Sequence, residues 1–423
     1  MTKTQAQIHL AKLASINLAQ YDDQKISQVL LDLAVAIEHQ TAKILQANRL
    51  DADKMDTSDP KLSRLVLDEN KIKNIADGIR QVSQLKTPLR KILEKRILDN
   101  GLFLKRVSAP LGVVGVVYEA RPNVTPDIFS LCFKSGNACV LKGGSDAHNS
   151  HQAFVEIITD VLEKNNLDKN CIQLLSPRRE AVQDLLEARG LVDLVVARGS
   201  RSLIDFTRDN AKVPFIETGA GVVHLYFDKG ADVKKGKLIV ENSKTSRPAV
   251  CNALDTLIVH EDELKNLPKL VGKLAEHQVE LRADKRAFES LSGRDSFGQY
   301  QYPTKLLKHS TAKDYDTEFL SLKMAIKTVV NLAEAIQHIG AHSTGHTEVI
   351  LSANQLNIER FLREVDSAAV YSNCATVFTD GNQYGLGAEV GISTQKLHAR
   401  GPMGLDALTS YKWILQGDGQ VRE

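Results

Sequence analysis

The sequence predicts an α/β protein built on parallel sheets, and three observations carry that prediction. From Pro110 to Gly219, short apolar runs rich in β-branched residues alternate with amphipathic helical segments. From Lys235 to Leu351 the same alternation resumes. The runs are continuously apolar, as strands covered on both faces require. At 423 residues the chain is too long for one ordinary core, so it divides into domains.

The first hundred residues read as helix. Ile26, Val29, Leu30, Leu33, Ile37 and Ile44 recur at helical spacing, and Pro60 to Lys95 continues in this style. Asn100-Gly101 then signals a tight turn, with Arg96–Leu98 and Leu102–Val107 as the arms of a hairpin. Strands follow at Val113–Tyr118, Ala138–Leu141, Ile172–Leu175, Leu191–Val196 and Pro214–Ile216. Helices at Pro126–Phe133, His148–Lys164 and Glu180–Ala188 lie between them. In the second run, Lys235–Asn242, Glu261–Ala275 and Leu332–Ile339 read as helices, and Asp255–Val259, Met324–Val329 and Glu348–Leu351 as strands. Gly381–Gly404 is glycine-rich loop, and Tyr411–Leu415 is a final strand. The boundary between the runs is expected at the Gly- and Lys-containing patch Asp228–Asp232. That gives a first domain over 1–228, a second over 229–378, and a return to the first over 379–423.

Composition narrows the function. The chain is 43% apolar and 25% charged with a net charge of +2, so no global field points to nucleic acid or a membrane surface. No run of membrane-spanning length occurs, and the N-terminus lacks the apolar core of a secretory signal. The five cysteines (Cys132, Cys139, Cys171, Cys251 and Cys374) form no CxxC pair, which suits a reduced, cytoplasmic setting. His342 and His346 are four apart, but the glycine and hydroxyl residues between them argue against a helix, and no third ligand stands out. No metal site is expected.

Several residues could carry chemistry. Cys251 lies between an expected helix and an expected strand, with the cations Lys244 and Arg247 close in sequence, and nearby cations raise a thiol's thiolate fraction. Asn123 follows Arg121-Pro122, and its amide can donate to an oxyanion. Lys142-Gly143-Gly144-Ser145 ends a strand, and such a loop suits a phosphate or a ribose. Glu217 closes a strand before Thr218-Gly219. Locally, each of these also reads as a buried thiol, a turn residue, a tight turn or a surface ion pair. No GxGxxG follows a strand, and Gly385–Gly391 has the wrong spacing for one.

Taken together, the segments resemble the aldehyde dehydrogenase superfamily and, within it, the glutamate-5-semialdehyde dehydrogenase family of proline biosynthesis. The resemblance rests on Pro110–Gly115, Tyr118-Glu-Ala-Arg-Pro-Asn-Val-Thr125, Lys134–Ala138, Ile216–Gly219, Arg247-Pro248, Val250-Cys-Asn-Ala-Leu254 and the long Gly391–Gly404 run, so it covers essentially the whole chain. It implies a Rossmann-type cofactor domain, an α/β catalytic domain and a small oligomerisation element at the 97–109 hairpin and the C-terminal strand. It further implies NADPH-dependent reduction of L-glutamyl 5-phosphate to L-glutamate 5-semialdehyde by an oxidoreductase that is a homo-oligomer, with a glutamate kinase as a partner. Cys251 matches the nucleophile and Asn123 the oxyanion-binding asparagine. Lys142 matches the lysine on the adenosine ribose, and Glu318 the glutamate on the nicotinamide ribose. Gly143, Gly144, Gly199, Ser200, Glu217, Thr218 and Gly219 fall at the cofactor. Ser145 stands where NAD-preferring relatives often carry an acid, and its lack of charge fits NADPH. Arg121, Arg247 and Arg400 are candidates for the substrate carboxylate or phosphate. The sequence departs from the family pattern at Val222-Val223 before His224 (commonly Asn-Cys), at Ala249 and at Ser202 (both commonly glycine).

Overall fold

The computed structural model describes residues 1–56, 59, 62–119, 121–294 and 301–422. Pro60, where the second helical stretch was expected to open, and Ala120 of the Tyr118–Thr125 motif lie outside these residues. The chain divides into two compact units. The first comprises Met1–Thr218, Gly385–Gly391 and Leu397–Glu423, and the second Gly219–Tyr384 and Ile392–Lys396.

The first unit is built on a five-stranded sheet in the order Ile172–Leu174, Ala138–Lys142, Val113–Tyr118, Leu194–Arg198, Phe215–Glu217. Every pair is parallel. The central strand is buried along its whole length. Val114 and Val116 face one core with the N-terminal helices Asp23–His39 and Glu69–Gln84. Val113 and Val117 face the other, with Ile8, Val182 and Leu185. Two-sided cover explains why the strand reads as unbroken apolar sequence. The long helices begin where short acids cap them: Asp22 accepts from the Lys25 amide at 2.8 Å and Asp68 from that of Lys71 at 2.7 Å.

The helical reading to Lys95 fails at its end, because Ile92–Ile97 is a strand. It pairs antiparallel with Phe103–Pro110 across a turn in which Gly101 takes a φ of +80°, a left-handed backbone that favours glycine. Phe103–Pro110 also pairs with the C-terminal strand Thr409–Gln416. The expected hairpin and final strand therefore form one three-stranded sheet.

The second unit carries a seven-stranded, wholly parallel sheet. Its order is Leu307–His309, Glu280–Ala283, Lys323–Val329, Leu254–His260, Val223–Phe227, Thr347–Leu351, Ala369–Ser372. Helices Val233–Thr245, Leu267–Glu276 and Lys285–Ser292 contribute to the core on one face, and Leu332–His342 and Gln355–Glu364 to that on the other. The strand Val223–Phe227 belongs to this sheet, so the division falls between Thr218 and Gly219 rather than at 228. The return to the first unit starts at Gly385 rather than 379 and is interrupted by Ile392–Lys396. No helix among the described residues is long and apolar enough to cross a membrane.

Candidate active site

In the first unit, most of the singled-out residues gather at the carboxyl edge of the five-stranded sheet. Lys142 ends one strand, Glu217 another, and Gly199 follows a third. Strand order reverses between Val113–Tyr118 and Leu194–Arg198, and such a reversal opens the crevice where open α/β sheets hold ligands. Two glycines there are fixed by close packing. A Cβ at Gly143 would overlap the His151 ring, and one at Gly199 would lie 2.8 Å from the Glu119 carboxyl. His151 is buried and bonds the Thr125 hydroxyl at 3.0 Å, and Thr125 in turn bonds Tyr118 at 2.7 Å. Burial pushes the His151 imidazole down to about 3, so it is neutral at physiological pH.

Burial also lowers the Lys142 ammonium from its ordinary value. Ser145 is exposed and donates to Asp146 at 3.2 Å. The helix that follows does not offer its N-terminus as a phosphate cradle. The Asp51 carboxylate already takes the amides of Asn149 and Ser150, at 3.2 and 2.8 Å. The Lys142–Ser145 loop therefore presents an ammonium and a hydroxyl. Ser200 does not cap its own helix and donates instead to Glu119 at 2.5 Å. Ser202, one of the departures, bonds Ser200 at 3.0 Å. Glu217 lies 3.7 Å from Arg208, and the Thr218 hydroxyl donates to the Ala197 carbonyl at 2.6 Å. Asn123 precedes helix Val124–Lys134 and donates to Asp127 at 3.0 Å. Arg121 and Arg400 are half-buried.

In the second unit the relevant loops enter at the opposite, amino edge of the sheet. Cys251 sits in a turn before Leu254–His260, closed by the Ala253 amide on the Val250 carbonyl at 3.1 Å. Asn252 pins that turn, donating to the carbonyls of Val377 at 3.3 Å and Thr379 at 3.0 Å. The loop before Val223–Phe227 runs against it so tightly that a Cβ at Gly221 would overlap the Cys251 carbonyl oxygen. Gly219 is likewise closed, a Cβ there lying 2.6 Å from the Thr394 hydroxyl. The Glu318 carboxylate accepts the Gly221 amide at 3.0 Å.

Beneath these loops lies an ion pair whose function sequence reading missed. Asp255 accepts the Phe319 amide at 3.0 Å and the Val223 amide at 3.5 Å, and Lys244 approaches it at 3.7 Å. Both side chains are almost wholly buried. Burial lowers the Lys244 ammonium to about 8 against the pull of Asp255, and raises Asp255 to about 6. The Lys244 charge is thus directed to a carboxylate, while Arg247 is exposed. Val222 and Val223 bury their side chains, and the backbone amide of Val222 donates to the Thr344 hydroxyl at 3.0 Å. His224 shares the buried Glu348 carboxylate, 3.1 Å from its Nδ1. Among the described residues no cluster suits a metal ion.

No family model matches the chain. Individual proteins do. A curated gamma-glutamyl phosphate reductase of Chlorobium chlorochromatii is 51% identical over 98% of each chain. The crystal structure of gamma-glutamyl phosphate reductase from Thermotoga maritima aligns over 100% of both chains at 38% identity, with a TM-score of 0.94. The chain belongs to the gamma-glutamyl phosphate reductase family. At 15% identity an engineered glycolyl-CoA reductase with bound NADP+ still aligns over 98% of this chain with a TM-score of 0.69. An acetylating aldehyde dehydrogenase from Geobacillus thermoglucosidasius, at 17% identity, aligns over 100% of this chain with a TM-score of 0.71, so the fold is that of the aldehyde dehydrogenases, as the sequence motifs implied.

Proposed function

We propose that the chain reduces L-glutamyl 5-phosphate to L-glutamate 5-semialdehyde and phosphate, through a thioester on Cys251 and with NADPH as cofactor. The observation that carries the reading is the setting of Cys251. Burial raises the thiols of Cys139, Cys171 and Cys374, which favours their protonated forms. Cys251 is half-exposed in a turn that Asn252 and the Gly221 loop hold rigid. Its thiolate attacks the acyl carbon. The C–S bond forms, the bond from the acyl carbon to the bridging phosphate oxygen breaks, and phosphate leaves with the electron pair. The Asn123 amide donates to the oxyanion.

The carboxyl edge of the first unit fits a dinucleotide. Gly143 and Gly199 let this edge pack closely on His151 and Glu119, Lys142 and Ser145 suit the adenosine ribose, and Gly144, Ser200, Glu217 and Thr218 line the same edge. In the second unit, Gly219 and Glu318 are assigned to the nicotinamide side. When bound, the cofactor would supply the hydride that reduces the thioester carbon, and the C–S bond would then break to free the aldehyde and return the Cys251 thiolate. No acid at Ser145 opposes a 2′-phosphate. Glu217, beside Arg208, shapes this edge and is not the base of a hydrolytic step, since water would waste the thioester. Arg121, Arg247 and Arg400 are assigned to the substrate's carboxylate and phosphate.

A glutamate kinase supplies the labile substrate in the cytoplasm. The chain acts as a homo-oligomer through the three-stranded sheet, where Ile97, Tyr411, Trp413 and Leu415 are exposed.

The test is reduction of NADP+ by glutamate 5-semialdehyde, with and without phosphate, in the native chain and in Cys251→Ala. Activity is expected to require phosphate, to favour NADP+ over NAD+ and to vanish in the variant. NADP+ reduction without phosphate would sink the acyl-phosphate reading and return Glu217 to the role of base. A preference for NAD+ would overturn the NADPH assignment and point to Asp146, next to Ser145.

A further inference from the structure

Asn123 is placed unusually for the residue that opens a helix. An asparagine at that position ordinarily turns its side-chain oxygen back onto an amide of the first turn. Asn123 makes no such bond. Its Nδ2 donates to the Asp127 carboxylate, 3.0 Å away and one turn along helix Val124–Lys134. The Asp127 amide bonds the Asn123 carbonyl at 3.2 Å, so the pair is fixed through backbone and side chain together. Arg198, which ends the neighbouring strand and donates to the Val390 carbonyl at 3.2 Å, is the cation whose charge acts on Asp127.

A primary amide has a donor edge and an acceptor edge, exchanged by rotating the group. A carboxylate carries no proton and can face only the donor edge. While Asp127 is ionised, the acceptor edge of Asn123 cannot turn toward it. The nitrogen stays in place, and its second N–H keeps one direction. An oxyanion donor is effective only when it is aimed before charge develops. Burial raises Asp127 to about 6 while the Asn123 bond and Arg198 pull it down, so the carboxylate is retained at neutral pH despite a costly site.

We propose that Asp127 is the positioning residue of the oxyanion donor: its carboxylate selects the donor edge of the Asn123 amide and aims the remaining N–H. This rests on the assignment of Asn123 to the oxyanion. The test is Asp127→Asn, which keeps the shape but accepts either edge of the Asn123 amide. Losing an oxyanion donor outright costs roughly 10²- to 10³-fold in turnover, and loss of its aim should cost about tenfold in kcat. KM for both substrates and the melting temperature should hold near the native values.

The double variant Asn123→Ala/Asp127→Asn should be no slower than Asn123→Ala alone, because Asp127 then has nothing to aim. Additive losses in the double variant, or a kcat unchanged in Asp127→Asn, would overturn the proposal. A native kcat in Asn123→Ala would instead sink the underlying assignment of the oxyanion donor.

Discussion

The five-stranded and seven-stranded sheets present their candidate residues from opposite ends. The first unit uses the carboxyl edge, where the helices that follow each strand begin and their N-termini carry partial positive charge. At the Lys142–Ser145 loop, however, Asp51 already engages the first amides of the following helix, so the loop presents an ammonium and a hydroxyl instead. The residues of that edge are open: Ser145, Gly199 and Ser200 are all exposed. The second unit uses the amino edge, where helix C-termini bring partial negative charge. Lys244, in the last turn of helix Val233–Thr245, supplies a cation at the helix end, and a carboxylate network ties the neighbouring loops. One edge is a rim prepared by topology. The other is a rigid seat built from buried charge.

The largest effect is expected from breaking that seat. Lys244→Met keeps the aliphatic packing but leaves Asp255 buried without its cation. Removing one partner of a buried pair costs about 3–5 kcal/mol. Asp255 would relax by taking up a proton and would loosen its hold on the Phe319 and Val223 amides. Chemical denaturation should show the stability loss, and turnover should fall with it. The double variant Lys244→Met/Asp255→Asn should recover much of the stability. If Lys244→Met alone melts like the native chain, the pair does not anchor the loops.

The rim should respond less. Gly143→Ala drives a methyl group into the His151 ring, which is held by Thr125 and cannot simply swing away. Overpacking of this kind costs about 1–3 kcal/mol. Because Lys142 and Ser145 flank the strained residue, the apparent affinity for the nicotinamide cofactor should fall, while acylation of Cys251 stays intact. Isothermal titration with NADP+ separates the two. Unchanged binding would mean the Lys142–Ser145 loop does not touch the cofactor.

The sequence made these two edges legible to different degrees. Long helices and the strand Val113–Tyr118 announce themselves through periodicity and continuous burial. The strands Glu280–Ala283 and Leu307–His309 do not, because each is short and carries charged residues. Ile92–Lys95 reads as helix because its Glu and Lys obscure the β pattern, whereas Arg96 and Ile97, at the end of the same strand, read as part of the hairpin. Cys251, Asn123 and Lys142 could be named from motif and neighbours. Asp255 could not be given its role, since its partner Phe319 is 64 residues away and nothing local marks the bond. The Glu119–Ser200 bond spans 81 residues and was equally hidden. Asp127 is different: it lies four residues after Asn123, and helical spacing alone places the two side chains together.

The smallest expected effect is a difference in acid sensitivity between the units. Burial lowers His151 in the first unit to about 3, and His338 and His346 in the second to about 3 and 4, from an ordinary 6.5. A group depressed on folding contributes stability above its unfolded value and loses it as pH falls, because the unfolded chain takes the proton first. Burial also raises Asp127 in the first unit and Asp255 in the second to about 6. These work the other way, since the folded form takes their protons first as pH falls through 6. In the first unit, one histidine and one aspartate nearly cancel between pH 6.5 and 5. In the second, two histidines outweigh one aspartate by one proton. That imbalance corresponds to on the order of 1 kcal/mol per pH unit. Hydrogen exchange read as protection factors should therefore show the seven-stranded sheet losing protection from pH 6.5 to 5 while the five-stranded sheet holds. Equal loss in both sheets would mean that the buried histidines do not set the difference. Substituting His338 with asparagine should flatten the slope in the second unit alone, because it leaves one histidine against one aspartate there.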